Sequence, residues 1–140
     1  MPKRRRQTAA LPYRIKPGGE LQVLLLTSRD TGRWVLPKGW PMPGKQLRRA
    51  AEIEAYEEGG VVGRTVKKPI GTYDYDKIDG RKKMPCRVHV FPMPVDDLLD
   101  EWPEQDERRR EWFAAKDAAK KVDEKELRSL LARLKSTLDL

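Results

Sequence analysis

Cysteine and histidine each occur once in this chain, and acidic residues are in deficit. A single thiol, Cys86, excludes an internal disulfide and a cysteine-based zinc cage, and reads as a core residue. The one imidazole, His89, lies in an alternating apolar stretch and reads as structural rather than catalytic. Long apolar runs are missing as well. The longest, Val23 to Leu26, is far too short to cross a bilayer, so no membrane partner is expected. No apolar segment follows the basic start Lys3-Arg4-Arg5-Arg6, so a secretory signal is not expected and the chain reads as cytoplasmic. A length of 140 residues allows one ordinary domain. We expect a basic tail over residues 1–7 and a single domain over 8–140.

What is abundant is positive charge. Thirty Lys and Arg against 22 Asp and Glu give a net charge of +8, gathered in residues 3–6, Lys67-Lys68, Arg81-Lys82-Lys83 and Arg108-Arg109-Arg110. Such a surplus points to a polyanionic partner: nucleic acid, polyphosphate or a phosphate-rich small molecule.

Turn residues divide the chain closely. Thr8 to Ile15 reads as a first strand, Pro17-Gly18-Gly19 as a turn and Leu21 to Thr27 as a buried strand. Trp34 to Leu36 is a short extended piece, and Lys38 to Gly44, rich in Gly and Pro, is loop. A helix is predicted from Gln46 to Glu58, stopped by Gly59-Gly60. Strands are predicted at Thr65 to Ile70, Thr72 to Lys77 and Pro85 to Phe91, with a hairpin turn at Asp79-Gly80. Beyond the acidic stretch Asp96 to Glu107, Glu111-Trp112-Phe113 reads as an edge strand. Asp123 then reads as the cap of a last helix, with Glu126 at the capping-box position. Leu127, Leu130, Leu131 and Leu134 form its apolar stripe. Trp34, Trp102 and Trp112 read as packing residues. The whole is a mixed α/β domain.

The helix from Gln46 carries the chemistry. Leu47, Ala50, Ala51, Glu54 and Glu58 fall on one face with Glu57 at its edge, while Arg48, Arg49 and Glu52 lie opposite, Arg48 and Glu52 forming an i,i+4 pair. No Lys or Arg stands at i±3 or i±4 of Glu54, Glu57 or Glu58. Their mutual repulsion is compounded by the negative end of the helix dipole. Burial raises the cost further unless a cation is present. A hard divalent cation such as Mg²⁺, which takes oxygen ligands and is shared with substrate phosphates, would relieve it. Cationic side chains supplied from elsewhere in the fold to a water-exposed acidic end are the other solution.

Gly39 to Val61 resembles the Nudix box, G-x5-E-x7-R-E-U-x-E-E-x-G-U, where U is a bulky aliphatic. Gly39, Glu54, Glu57-Glu58 and Gly60-Val61 match it; Lys45 replaces its first glutamate, Ile53 its arginine, and Ala55 is small for the aliphatic position. Two further segments, Arg33-Trp34-Val35-Leu36-Pro37-Lys38-Gly39 and Arg108-Arg109-Arg110-Glu111-Trp112-Phe113, are similar to the diphosphoinositol polyphosphate phosphohydrolase branch, although Lys38-Gly39-Trp40 departs from that branch's glycine triplet.

The resemblance implies a Nudix-like α/β/α sandwich with a mixed β-sheet. It also implies a pyrophosphohydrolase whose Glu54, Glu57 and Glu58, with the Gly39 carbonyl, hold Mg²⁺ or Mn²⁺. Catalytic roles then fall to Glu54, Glu57 and Glu58, with a general base from these or from Asp96 to Glu107. Substrate-binding positions implied by the branch are Arg6, Ser28, Arg29, Lys82, Arg108 and Arg109. The expected substrate is a diphosphoinositol polyphosphate, a dinucleoside polyphosphate or polyphosphate, bound by a monomer or homodimer. Competing readings are ADP-ribose, a capped RNA 5′ end, or a catalytically silent polyanion-binding module, to which Lys45, Ile53 and the basic start would suit a nucleic-acid partner.

Overall fold

The computed structural model describes residues 3–140. Its strands are β1 (Arg5–Ile15), β2 (Leu21–Thr27), β3 (Trp34–Val35), β4 (Lys38–Gly39), β5 (Val61–Gly63), β6 (Gly71–Asp79), β7 (Lys82–Leu98) and β8 (Arg110–Ala114). The helices are α1 (Leu47–Gly59), α2 (Ala115–Lys121), α3 (Lys125–Ala132) and α4 (Leu134–Thr137). None of the helices is long and apolar enough to cross a membrane.

The strands form a mixed sheet in the order β3-β2-β1-β7-β5, with β6 on β7, β8 on β2 and β4 on β1. β1 and β7 run parallel, and the remaining pairs are antiparallel. Side chains alternate across a strand, and this sheet uses both faces. Ala9, Leu11, Val23, Leu25, Val88 and Val90 pack with the buried leucines of α3 and α4 and the alanines of α2. Ala10, Leu24, Leu26, Phe91 and Met93 face the other way, against Ala51 and Ala55 of α1. The architecture is the α/β/α sandwich that the sequence implies.

Several boundaries differ from expectation. Met1 and Pro2 of the expected tail lie outside the described residues, but Arg5 to Gln7 are strand, paired with Cys86 to Val88. The reason is the parallel register, which sets Arg5 to Gln7 beside the start of the expected Pro85 to Phe91 strand; β7 also runs on to Leu98, where its continuation pairs with Leu11 to Tyr13. Thr65 to Ile70 is not a strand; β5, which ends just before it at Gly63, pairs with the end of β7 instead, placing Asp96 and Asp97 within β7. α2 was not expected, because its apolar face is made of small residues, Ala115, Ala118 and Ala119. Asp123 does not cap α3: the N-cap is Glu124, without a side-chain cap bond. Glu124 is drawn instead to Arg33 at 2.7 Å, and Glu126 accepts the Asp74 amide at 3.1 Å.

The expected leucine stripe is buried, with Leu127, Leu131 and Leu134 fully enclosed. Truncating Leu131 to Ala should lower unfolding free energy by about 2–5 kcal/mol, because the sheet cannot collapse into the space left. A urea midpoint equal to that of the unmodified chain would contradict this packing.

Candidate active site

α1 runs from Leu47 to Gly59 and ends at Gly60, whose left-handed backbone (φ 63°) places its amide on the Tyr56 carbonyl at 2.9 Å. Ala50, Ala51 and Ala55 are buried, so the helix lies close to the sheet. Thr8 of β1 fixes its first turn by donating to the Leu47 carbonyl at 2.9 Å. On its outer side, Glu52 is not the expected partner of Arg48. It accepts the Thr65 amide (2.8 Å) and hydroxyl (2.9 Å) and pairs with Arg49 at 3.2 Å. Thr65 follows β5 closely, so Glu52 ties the helix to the next segment of chain, and that face is not merely solvated.

The last turn of α1 is held by residues 99–110. A helix end leaves carbonyls without intrahelical donors. Here the Glu104 amide donates to the Glu57 carbonyl at 3.0 Å, and Trp102 Nε1 to that of Glu58 at 3.1 Å. Arg110 reaches the carbonyls of Gly59 (2.8 Å) and Leu99 (2.7 Å), and its guanidinium stacks 4.0 Å from the Trp102 ring centre. This clamp requires glycine at position 60, where a Cβ would come within 2.8 Å of the Trp102 ring.

The clamp fixes where the glutamates sit. Glu54 lies directly on Gly39: a Cβ at that residue would meet the Glu54 carboxyl carbon at 2.5 Å and its oxygens at 2.7 and 2.8 Å. Glu58 is buried at 5% exposure, with Oε1 3.4 Å from the Lys38 amide and 3.7 Å from Arg108. Burial and the neighbouring Glu54 carboxyl, within hydrogen-bonding reach, push Glu58 up to about 9, against the opposing pull of Arg108 and Lys38. Glu57 is also raised, by burial and by repulsion from Glu54 and Glu104. Burial pushes the Lys38 ammonium down, against the pull of Glu58. Two cationic residues remote in sequence thus approach the acidic helix end, yet Glu58 is not exposed to water and the glutamates still crowd one another.

The donor set suits a hard cation: carboxylate oxygens beside a glycine backbone, with Glu57 and Glu58 raised above their ordinary range first by burial and then by their acidic neighbours. Among the described residues no group of three or more Asp, Glu, His or Cys side chains is arranged to hold a metal ion. That leaves room for an open site of the Mg²⁺ kind, which needs one or two carboxylates and keeps its waters.

The six expected substrate-binding positions do not all converge. Arg108 is at the glutamates, held by Glu104 (2.8 Å) and by the Thr27 carbonyl (3.3 Å). Arg109 meets the same turn, its amide donating to the Thr27 hydroxyl at 2.8 Å. Arg29 pairs loosely with Glu107 at 3.5 Å, and Ser28 shares a 2.7 Å bond with Thr31. Ser28, Arg33, Lys38, Tyr75 and the Lys77–Gly80 end of the hairpin line one groove of about 650 Å³. Lys82 stands at the hairpin tip opposite Asp79, and Arg6 opposite Arg87; neither makes a hydrogen bond or ion pair with the glutamates. Burial lowers the pKa of His89, and the positive charges of Arg6 and Arg87 lower it further.

The sequence reading missed Lys38, Arg33, Arg110, Glu104 and the clamping role of Trp102. Lys38 was visible only as a departure from a glycine triplet, and Arg110 as the last of a basic run.

A model of the NUDIX domain matches residues 3–134. The chain belongs to the NUDIX domain family. It is similar to Nudix hydrolase 21, chloroplastic, of Arabidopsis thaliana, at 33% identity over 81% of this chain. It spans 58% of that relative's length. It is similar to diphosphoinositol polyphosphate phosphohydrolase 3-alpha of Mus musculus, at 33% identity over 83% of this chain and 68% of the relative. A solved C. elegans Ap4A hydrolase shares the fold, with TM-score 0.69 and 23% identity over 96% of this chain and 97% of that one. In this NUDIX chain the box departures Lys45 and Ile53 are exposed and half-buried respectively.

Because the Glu54 carboxyl rests on Gly39, Gly39→Ala should displace Glu54 without unfolding the domain. A crystal structure of that variant checks it; an unmoved Glu54 with an accommodated methyl would contradict the contact.

Proposed function

We propose that this NUDIX protein hydrolyses a phosphoanhydride bond in a highly phosphorylated small molecule, with Mg²⁺ or Mn²⁺. The candidates are a diphosphoinositol polyphosphate, a dinucleoside polyphosphate or inorganic polyphosphate. The observation that carries the reading is the Glu54 carboxyl lying on Gly39 beside Glu57 and the buried Glu58, with Arg108 at 3.7 Å. The relatives support it through their names: a diphosphoinositol polyphosphate phosphohydrolase at 33% identity, and an Ap4A hydrolase of the same fold.

Glu54, Glu57 and Glu58, with the Gly39 carbonyl, would hold the metal. A bound divalent ion supplies neutralisation of phosphate oxygens and a lowered pKa for water. The protein's own groups do the rest. Arg108, fixed by Glu104 and the Thr27 carbonyl, presents its remaining donors to phosphate oxygens, a task suited to the guanidinium fork. Lys38 and Arg33 carry positive charge along the groove, which Ser28 also lines, and Arg29 follows Ser28 in the chain. Arg109, Arg6 and Lys82 meet the outer parts of a long polyanion. A glutamate of the cluster takes the proton of the attacking water. The water oxygen bonds to phosphorus, the bridging P–O bond breaks, and the leaving phosphate departs with that electron pair. Glu104 belongs to the acidic stretch considered for the base, but its 2.8 Å bond to Arg108 makes it a positioning residue.

A silent polyanion-binding module is the second reading, favoured by the approach of Arg108 and the Lys38 amide to Glu58, which the fold supplies without a metal. Turnover of diadenosine hexaphosphate, a diphosphoinositol pentakisphosphate and ADP-ribose with Mg²⁺ separates the cases. We expect the first two to be fastest, and Glu57→Gln to lose at least about a hundredfold. Fastest turnover of ADP-ribose would overturn the substrate class. Salt-dependent RNA binding without hydrolysis would establish the silent module.

A further inference from the structure

Away from the glutamates, the outer side of α1 and the strand β5 line a second cavity, an open groove of about 430 Å³. Its charged and polar lining is Gln46, Arg48, Arg49, Glu52, Arg64 and Asp96. The carboxylates there do not match the guanidinium groups. Glu52 is committed to Thr65 and to Arg49. Arg48 bonds only the neutral Gln46 side chain, at 3.0 Å. Among the described residues neither Arg48 nor Arg64 has a carboxylate within 4.0 Å, leaving Asp96 as the cavity's one uncommitted acid.

Electrostatics make this arrangement costly as it stands. The first turn of α1 holds no acidic residue, while Arg48 and Arg49 lie in that turn and Lys45 just before it. Cations near a helix start are opposed by the dipole and by one another. An anion among the arginines would relieve both repulsions at once, the inverse of what a cation would do at the other end of the same helix.

We infer that this cavity is a second anion site, for a linear polyphosphate group, formed by Arg48 and Arg64 with support from Arg49. Guanidinium forks match phosphate oxygens bidentately, which a single Lys cannot do. No aromatic residue lines the cavity among the described residues, so nothing there would stack a base. Its volume admits several linked phosphates rather than one. The inference stands apart from the proposed hydrolysis, since it uses none of the groups assigned to it.

The probe is tripolyphosphate in the presence of EDTA, so that neither hydrolysis nor metal binding enters. Binding is followed by calorimetry and by amide NMR shifts of residues 46–49 and 62–64 in the full chain. We expect saturable shifts in those residues. Binding at that site should weaken at least tenfold in the Arg48→Gln, Arg64→Gln double variant, on the scale of losing charge-assisted hydrogen bonds. Asp96→Asn, which removes the opposing charge, should tighten it. Unchanged binding in the double variant, weakening by Asp96→Asn, or shifts confined to the surroundings of Arg108 would overturn the assignment. Thermal melts showing both variants folded keep the comparison valid, since Arg64 and Asp96 are exposed.

Discussion

The structure depends on keeping three carboxylates together at the wrong end of a helix. Glu54, Glu57 and Glu58 repel one another and sit where the helix dipole is negative. The fold holds them there by satisfying the helix end from outside: Trp102, the Glu104 amide and Arg110 take the carbonyls of Glu57, Glu58 and Gly59. Packing of Ala51 and Ala55 on the sheet then sets the depth at which Glu54 meets Gly39. Local electrostatic strain is thereby supported by hydrogen bonds and burial spread over distant segments, a pattern usual at functional sites.

Lys45 and Ile53 stand where the Nudix box has a glutamate and an arginine. The resemblance assigns the residues they replace to orienting the loop and helix. Here that orientation is supplied elsewhere. Thr8 anchors the helix start, Glu52 binds the Thr65 amide and hydroxyl, and Arg110 stacked on Trp102 secures the end. Residues that bind backbone groups can replace one another in this way, because the backbone offers a donor and an acceptor at nearly every position.

Much of this was legible in the sequence, for identifiable reasons. The short apolar run of β2, the Leu127–Leu134 stripe and the Gly60 helix stop are local patterns with one physical solution each. The carboxylate trio was legible because its spacing makes no sense for a helix by itself. What was hidden is non-local. Lys38 and Arg108 reach Glu58 only through the sheet and the turn at Thr27. The strand role of Arg5 to Gln7 depends on their pairing with Cys86 to Val88, far along the chain, and Glu124, at the cap position, is paired with Arg33 from across the fold. α2 was hidden for a different reason: an alanine face gives little hydrophobic contrast along the sequence.

The central claim is that these glutamates are at ease together only around a divalent cation. Anything that binds the folded state alone raises its stability. The direct measurement is therefore the melting temperature of the metal-stripped protein as Mg²⁺ or Mn²⁺ is added, beside the Glu54→Gln, Glu57→Gln double variant. The account predicts a saturable rise in the unmodified chain that the double variant lacks. A melting temperature indifferent to either ion, or an equal rise in both proteins, would contradict it.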